Sequence, residues 1–282
     1  MDTPESPQAA PIAGPAARLE AGSPAGSLDG SGVLVTGGTS GIGAAIAELS
    51  LREGARVVVT GRDRERGQAV VRHLRELGAA WFVAADATDP RAVDESVEAA
   101  VGRLGGLDAL VNNAGIGLVA PLIDTPADVF DRLLAVNVRG PLLYAQAARA
   151  HLARRHGAIV NIASDAGLRG EQPIGAYSVS KAAVVMMSKM LALDLAPEVR
   201  CNCVCPGGTV PGMRHIGSLG DPEAGDDPST WPLPPLGRLG KGADVAEAVV
   251  FFLSERSAFC SGATLLVDGG LQAGVAAPDR WR

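Results

Sequence analysis

A tyrosine and a lysine four residues apart, Tyr177 and Lys181, are the side chains of this chain best suited to acid–base chemistry. The residues that follow, 182–187, favour a helix, and positions i and i+4 share one helix face, so the phenol and the ammonium are expected to meet. A nearby cation stabilises a phenolate and lowers the pKa of a tyrosine from its usual value of about 10. The pair predicts a general acid or base that works near neutral pH. Because chance Y-x-x-x-K matches are common, the pair is informative only together with the motifs that precede it in the chain.

A second motif predicts a phosphate-binding turn near the N-terminus. The β-branched run 33–36 ends in glycines at Gly37, Gly41 and Gly43, and an amphipathic helical pattern begins there. Glycines allow a sharp turn and let a pyrophosphate approach the helix N-terminus, where free N–H groups and the helix dipole favour an anion. The spacing is G-x-x-x-G-x-G, and a glycine-rich turn that holds no ligand is the alternative interpretation.

The apolar patterning predicts one α/β domain. The chain has 282 residues, of which 47% are hydrophobic and 20% charged, enough to bury one sizeable core. Short apolar runs alternate with helical patterns, which predicts a Rossmann-like, doubly wound parallel sheet of about seven strands with helices on both faces. The predicted strands are 32–36, 55–60, 80–85, 107–112, 157–162, 199–205 and 263–267. The predicted helices are 42–53, 63–77, 90–104, 126–155 with a break, 176–196 and 242–254.

The ends of the chain are predicted to be tails. Residues 1–27 are rich in Pro, Ala, Gly and Ser and cannot offset ordering entropy, so disorder is expected there. The segment also lacks the basic and apolar regions of a secretory signal. The catalytic domain is assigned to 28–274, and 275–282 to a C-terminal tail.

Charge and apolar runs argue against two classes of partner. The formal net charge is −6 and no basic stripe is evident, which disfavours nucleic acid as the main partner. No run of about eighteen apolar residues is present, so no membrane-spanning helix is expected.

Three cysteines, Cys201, Cys203 and Cys205, alternate along a predicted strand and are expected on one face of it. Their spacing is not one of the usual zinc spacings, so we interpret them as buried small hydrophobes and predict no metal site. The absence of a disulfide framework in the cysteine pattern favours a reducing cytoplasm.

Further motifs stand in register with the first two. They are Asn112-Asn113-Ala114-Gly115 after the predicted fourth strand, Asn137 within a helix, Ser164 thirteen residues before Tyr177, Pro206-Gly207 after a strand, and Val267-Asp268-Gly269-Gly270 at the last strand. With the glycine turn and the Tyr177–Lys181 pair, they make the chain resemble the short-chain dehydrogenase/reductase family from about residue 28 to residue 270. No single motif carries the resemblance, which rests on all of them together.

The resemblance implies hydride transfer between a nicotinamide cofactor and a ketone or secondary alcohol. Tyr177 would exchange a proton with the reacting oxygen, and Ser164 would hydrogen bond to that oxygen. Lys181 would lower the pKa of Tyr177 and hold the nicotinamide ribose. Asn137 would position a water molecule that relays protons to Lys181. Such a set suits an oxygen on which charge develops in the transition state.

The resemblance also implies a set of cofactor contacts, with Asp86 meeting the adenine ring. The implied residues are Gly37, Thr39, Ser40, Gly41, Ile42, Gly43, Arg62, Asp86, Ala87, Asn113, Ala114, Gly115, Tyr177, Lys181, Pro206, Gly207 and Thr209. The chain departs from the family after Gly207, where Thr209 takes an aliphatic position and Pro211 a threonine position. A one-residue insertion would instead align Val210 with the aliphatic position. Since proline has neither N–H nor hydroxyl, a nicotinamide contact is in doubt there.

The end of the second strand, Gly61-Arg62-Asp63, bears on the choice of cofactor. An acidic residue at this position binds the ribose 2′-hydroxyl of NAD, whereas an arginine accommodates a 2′-phosphate. Gly61 occupies the acidic position in the family register, and Arg62 offers a planar fork suited to phosphate. NADP(H) is therefore favoured, and Arg64 or Arg66 could assist. NAD(H) stays possible if Asp63 turns back or if Arg62 is merely solvated.

The substrate is expected to bind under the segment 208–240, which is long and rich in Gly, Pro and Asp, as lids often are. Another wall is expected from 168–174. Arg214 and His215 could meet an acid group or face solvent. Candidate apolar lining residues are Met213, Leu219, Trp231, Leu233 and Leu236.

Three hypotheses about function stay open at this point. The favoured one is an NADP(H)-dependent ketone reductase or secondary-alcohol dehydrogenase. The second is an NAD-dependent alcohol dehydrogenase, and the third is a non-catalytic cofactor sensor or scaffold. The family resemblance further implies a homo-oligomer, either a tetramer or a dimer, formed through the long helices and the last strand.

Overall fold

The computed structural model describes residues 27–211, 215–218 and 228–274. The predicted tails 1–27 and 275–282 lie outside these residues, except for Ser27. Its backbone N–H and hydroxyl donate to the Glu53 carboxylate at 2.7 and 2.8 Å.

The predicted seven-stranded sheet is confirmed. The strands are β1 (Gly32–Val35), β2 (Arg56–Gly61), β3 (Ala80–Ala84), β4 (Ala109–Asn112), β5 (Ala158–Ile162), β6 (Arg200–Pro206) and β7 (Thr264–Val267). They lie in the order β3-β2-β1-β4-β5-β6-β7, and every neighbouring pair is parallel. Valine-rich runs such as β2 are buried on both faces, as expected for a parallel sheet covered by helices.

Helices cover both faces of the sheet. The helices are α1 (Gly41–Arg52), α2 (Arg64–Leu74), α3 (Pro90–Leu104), α4 (Ala127–Leu134), α5 (Gly140–Ala153), α6 (Gly175–Asp194) and α7 (Gly242–Leu253). Alternate residues of β1 belong to opposite cores: Val33 and Val35 pack with α1, α2 and α7, whereas Leu34 packs with α3, α5 and α6. The sheet order with helices on both faces is a Rossmann-like α/β architecture.

The break predicted within 126–155 is a π-helical turn, Ala135–Arg139, between α4 and α5. The backbone stays helical through it, so the two helices join without a loop. π-turns of this kind often occur at functional sites. This one carries Asn137, which is buried.

A chain of buried amides fixes α6 against the sheet. The Asn112 side chain on β4 donates to the Asn161 Oδ1 on β5 at 2.8 Å, and Asn161 Nδ2 donates to Ser188 Oγ on α6 at 2.9 Å. Buried hydrogen bonds of this kind hold their elements in one arrangement, although Asn112 Oδ1 itself has no partner among the described residues. Asn112 and Asn161 therefore help to set the position of the tyrosine and lysine on α6.

Helix α6 is also the one described helix long and apolar enough to cross a membrane by length and composition alone. About half of that apolar stretch, 56%, is buried inside the domain. Since core helices pass the same test, its packing accounts for its composition.

The cysteines of β6 are buried, as the alternating pattern predicts. Cys203 and Cys205 pack with Val184 and Val185 of α6, and their sulfur atoms lie 3.9 Å apart. Cys201 belongs to the core shared with α3 and α5. All three are free thiols within the described part of the chain.

Two short strand pairs hold the described parts of 208–240 over the carboxyl edge of the sheet. Thr209–Val210 pairs with Gly240–Lys241, and Gly117–Val119 pairs with His215–Ser218, in both cases in parallel. One of these pairs joins the two ends of the segment, and the other joins the segment to the chain that follows β4.

Candidate active site

A single cavity of about 1120 Å³ lies at the carboxyl ends of the strands. Ligands of doubly wound sheets bind at this edge. Every residue of the expected cofactor set lines this cavity, and so does Ser164. Asn137 is the one member of the expected catalytic set that does not.

The glycine turn forms the floor of one end. Helix α1 begins at Gly41, and its N-cap, Ser40, makes no side-chain capping hydrogen bond, so the first N–H groups face the cavity without a capping side chain. A Cβ on Gly43 would overlap the Asn113 side-chain nitrogen and lie 2.5 Å from the Gly37 carbonyl oxygen. A glycine is therefore required at position 43 by the close packing of the turn, while the space beside Gly41 is open.

Thr36 ties the ends of β1 and β4 together. Its Oγ1 accepts hydrogen bonds from the Asn113 N–H at 3.0 Å and the Ala114 N–H at 3.1 Å. In return, Asn113 Nδ2 donates to the carbonyls of Thr36 and Gly37 at 3.0 and 3.1 Å. The Asn113 side chain thus braces the turn, and the main chain of 113–115 lines the cavity. Sequence analysis missed Thr36.

Asp86 lies at the end of the cavity beyond β3. Its Oδ1 accepts from the backbone N–H and hydroxyl of Thr88 at 2.9 and 2.8 Å. Burial acts to raise the pKa of Asp86, but these hydrogen bonds and the charge of Arg62 outweigh it and lower the pKa. An ionised carboxylate is therefore held at the place where the adenine ring is expected.

The end of β2 brings arginine side chains to the cavity, and no carboxylate stands at the usual acidic position. A Cβ on Gly61 would lie 2.9 Å from the Thr39 methyl carbon, so the usual acidic position is closely packed. Asp63 caps α2 instead, where its Oδ1 accepts from the Arg66 N–H at 3.0 Å. Arg62 is exposed and lines the cavity. Asp63 and Arg66 also line the cavity, whereas Arg64 does not.

The expected i,i+4 pair is present on one face of α6. Lys181 Nζ lies 5.7 Å from the centroid of the Tyr177 ring and donates to the Ile162 carbonyl of β5 at 2.9 Å. The lysine is only 3% exposed, and burial lowers its pKa to about 8. The ammonium is therefore still mostly protonated at pH 7 but held in a weakly solvated place.

Burial, and not the expected effect of Lys181, sets the direction of the Tyr177 pKa in this arrangement. Burial of the phenol raises the pKa of Tyr177 well above its usual range. A hydrogen bond with Ser164 opposes this rise, while the charges of Asp165 and Glu171 add to it. Desolvation of the phenolate outweighs attraction to the one cation that lies over the ring.

Ser164 caps a short 3₁₀ turn, Asp165–Gly167. Its Oγ accepts from the Ala166 N–H at 3.2 Å and donates to Asp165 Oδ1, also at 3.2 Å. Asp165 is 5% exposed and lines the cavity. Sequence analysis missed Asp165, although an acidic residue directly after the serine was visible there.

Asn137 braces the site from the π-turn. Its Oδ1 accepts from the Ile116 N–H at 2.9 Å, and its Nδ2 donates to the Ile116 carbonyl and to Ser180 Oγ, both at 2.9 Å. Both amide protons are therefore used, and the side chain cannot donate one to a relay water. The hydroxyl of Ser180 in turn donates to the Tyr177 carbonyl at 2.7 Å, so Asn137 fixes the first turns of α6.

The far end of the cavity is mostly apolar. Trp231 from the 208–240 segment covers Gly208, on which a Cβ would lie 3.0 Å from the indole ring. The expected second wall is present through 171–174, and Leu271 joins from the chain after β7. Leu233 and Leu236 are exposed and do not line the cavity. Met213, Arg214 and Leu219 lie outside the described residues, as does the side chain of His215.

Comparison with known proteins agrees with this architecture. The family model described as Enoyl-(Acyl carrier protein) reductase matches residues 37–272. The chain is 40% identical to 2-(S)-hydroxypropyl-CoM dehydrogenase 3 of Xanthobacter autotrophicus over 247 residues, or 86% of this chain and 96% of that protein. It is 39% identical to the inactive 2-(S)-hydroxypropyl-CoM dehydrogenase 2 of the same organism over 81% of this chain and 100% of that protein.

A solved structure shows the same fold. The crystal structure of a short chain dehydrogenase from Burkholderia cenocepacia in complex with NADP superposes with a TM-score of 0.79 at 37% identity, covering 87% of this chain and 99% of that one. The chain belongs to the short-chain dehydrogenase/reductase family, whose members are NAD(P)-dependent oxidoreductases.

The glycine turn yields a direct test of the dinucleotide site. Gly43→Ala would force a methyl group against Gly37 and Asn113 and displace the turn, so we expect NADPH affinity to fall about tenfold, a loss of roughly 1.4 kcal/mol of binding free energy. Gly102→Ala is the matched control, because Gly102 is exposed in α3 with open space around its Cα. Fluorescence titration of NADPH should show unchanged affinity in the control. Equal affinity in both variants would contradict the site.

Proposed function

We propose that this oxidoreductase transfers a hydride between NADP(H) and a ketone or secondary alcohol, with Tyr177 as the general acid or base. The observation that carries the proposal is the convergence of Tyr177, Ser164 and Lys181 in one cavity with the glycine turn and Arg62. The named dehydrogenase relative supports this reaction class. Its inactive relative is almost as similar, so the argument rests on the side chains present rather than on overall similarity.

The residues of the cavity fit a dinucleotide. The open N–H groups of α1 would hold the pyrophosphate, Asp86 and Ala87 would meet the adenine ring, and Lys181 would hold the nicotinamide ribose. When bound, the nicotinamide supplies or accepts the hydride. The protein's own task is to exclude water, orient the substrate and move one proton.

The proton step is assigned to Tyr177. In reduction its phenol donates a proton to the carbonyl oxygen as charge develops there, and in oxidation it takes a proton from the alcohol. Ser164 would hydrogen bond to the same oxygen, and the Lys181 charge would stabilise the phenolate left behind. Because burial raises the pKa of Tyr177, the phenol is the dominant form at neutral pH, and this form is the one that reduction needs.

The cofactor preference follows from the end of β2. A carboxylate that could bind a ribose 2′-hydroxyl is missing at Gly61, and Asp63 is engaged as the cap of α2. Arg62 lines the cavity with Arg66 close by. A planar cation matches a 2′-phosphate, which favours NADP(H) over NAD(H).

Arg62→Ala tests this preference. We expect calorimetric titration to show NADPH affinity lowered about tenfold, because an exposed charge-assisted pair contributes on the order of 1–2 kcal/mol. NADH affinity should change little. Arg64→Ala is the matched control, since Arg64 is also exposed near the start of α2 but lies outside the cavity lining. Tighter binding of NADH than of NADPH by the unchanged protein would favour the NAD-dependent alternative.

Tyr177→Phe tests the catalytic assignment against the non-catalytic alternative. Removal of the phenol hydroxyl should lower kcat for carbonyl reduction by about 10²- to 10⁴-fold while NADPH still binds, because the proton donor is lost and the cofactor site is kept. Steady-state kinetics on a panel of aliphatic and cyclic ketones measures this. Equal turnover by both proteins would contradict the mechanism, and binding of NADPH without turnover of any ketone would favour a sensor or scaffold.

We also propose a homo-oligomer, a dimer or tetramer, formed largely through α6. One face of this helix presents a stripe of exposed apolar side chains at helical spacing, and such patches often mark interfaces. The stripe consists of Val179, Met186, Met190 and Leu193, with Leu142 of α5 also exposed. Leu133, which lies in the predicted long helix 126–155, is buried in the domain and contributes no such surface. A monomeric mass by light scattering at micromolar concentration would contradict this proposal.

For the compartment, we propose the cytoplasm. The four described cysteines are free thiols, which suits a reducing environment. Recovery of the protein from a membrane or secreted fraction would contradict this.

A further inference from the structure

We propose that Asp165 is a positioning residue of this active site, which holds the hydroxyl proton of Ser164 and favours the protonated phenol of Tyr177. The inference rests on the proposed function, because it concerns the same proton transfer. In this proposal, Asp165 influences the protonation of Tyr177 but does not itself exchange a proton with the substrate.

The position of Asp165 is fixed by several contacts. It opens the 3₁₀ turn after Ser164, and its Oδ1 accepts from Ser164 Oγ at 3.2 Å and from the Ala166 N–H at 2.9 Å. Its main-chain carbonyl accepts from the Gln272 side chain, which attaches the chain after β7 to the serine turn. The carboxylate is therefore held beside the serine hydroxyl.

The hydroxyl of Ser164 has one proton and two lone pairs. Without a bound substrate, the proton points to the Asp165 carboxylate, and the Ala166 N–H donates to the serine oxygen at 3.2 Å. A hydrogen bond from Ser164 acts to lower the pKa of Tyr177, because it stabilises the phenolate. While Asp165 holds the serine proton, this stabilisation is weakened, so Asp165 favours the phenol.

The charges around Tyr177 act in the same direction. Asp165 and Glu171 are the carboxylates that raise its pKa, and Asp165 makes the larger contribution of the two. Cys205 of β6 also faces the phenol, but burial and its contact with Cys203 raise the pKa of this thiol, so it is neutral near pH 7. Lys181 is the cation over the ring, and its charge acts against that of the carboxylates.

The positive charge of Arg169 partly offsets the negative charge of Asp165 near Tyr177. Its Nη2 lies 3.7 Å from Asp165 Oδ2 and 3.5 Å from Glu171 Oε2, and its side chain is 40% exposed. Burial raises the pKa of Asp165, whereas the hydrogen bonds from Ser164 and Ala166 and the charge of Arg169 oppose that rise. Removal of the arginine should therefore increase the negative field on Tyr177, and removal of Asp165 should decrease it.

The test compares the pH dependence of kcat for oxidation of 2-propanol and cyclopentanol with NADP⁺ in two variants. Oxidation requires the unprotonated tyrosine, so a lower pKa of Tyr177 moves the rising limb to lower pH. We expect Asp165→Asn to move the limb down by about one to three pH units, because at an effective dielectric near 20 one charge shifts a pKa by about three units from roughly 4 Å and by about one unit from roughly 12 Å. We expect Arg169→Gln to move it up.

Opposite shifts of this kind cannot come from loosened packing, which would lower kcat at every pH without moving the limb. A limb unmoved by both variants, or moved the same way by both, would overturn the proposal. If Asp165→Asn does not fold, as judged by thermal melting, the sign of the Arg169→Gln shift decides.

A second readout separates this inference from the proposed function. The chain has only two tyrosines, so in a Tyr144→Phe background the phenolate absorbance reports Tyr177 alone. Adding Asp165→Asn should make this absorbance appear at lower pH than in the parent, and appearance at equal or higher pH would overturn the inference. If the unchanged protein oxidises neither alcohol and reduces no ketone, the proposed function fails, and the absorbance still decides the part played by Asp165.

Discussion

The rest of the site depends on the burial of the Lys181 ammonium and on the groups that compensate its charge. It is 3% exposed and its direct hydrogen bond within the described residues goes to the Ile162 carbonyl of β5. A charge in such a place is tolerated only where dipoles or anions face it, and its pKa of about 8 records the cost of desolvation. The Tyr177 ring lies beside it, and in the proposed function a nicotinamide ribose would also meet it. The buried amides of Asn112 and Asn161 keep α6 where this can happen.

The parallel sheet explains why the chemistry and the dinucleotide share one cavity. Every strand ends at the same edge, so residues far apart in the chain, from the glycine turn after β1 to Pro206 after β6, meet there. The bond network between Thr36 and Asn113 holds the turn and β4 together. The glycine turn, Arg62 and the Tyr177–Lys181 pair all line this cavity, and Trp231 and Leu271 add apolar surface to it.

Much of this could be predicted from the sequence, because strands and turns leave local signals. Valine-rich runs and glycines defined β1, β2 and the phosphate turn, and fixed spacing placed Ser164 before Tyr177. Effects that depend on the folded surroundings were not predictable. Burial reverses the expected pKa shift of Tyr177, and the hydrogen bonds of Asn137 with Ile116 form only after folding. Leu233 looked like a pocket residue but is exposed, because hydrophobicity alone does not say which side of a loop faces inward.

The central claim is that this protein transfers a hydride from NADPH to a carbonyl carbon. The most direct measurement follows the hydride itself: NADPH deuterated at one or the other face of C4 is incubated with the protein and a panel of aliphatic and cyclic ketones, and the alcohol product is analysed by mass spectrometry. The account predicts one deuterium on the carbinol carbon, from one face of the nicotinamide only. Alcohol without deuterium, or deuterium transferred equally from both faces, would contradict it.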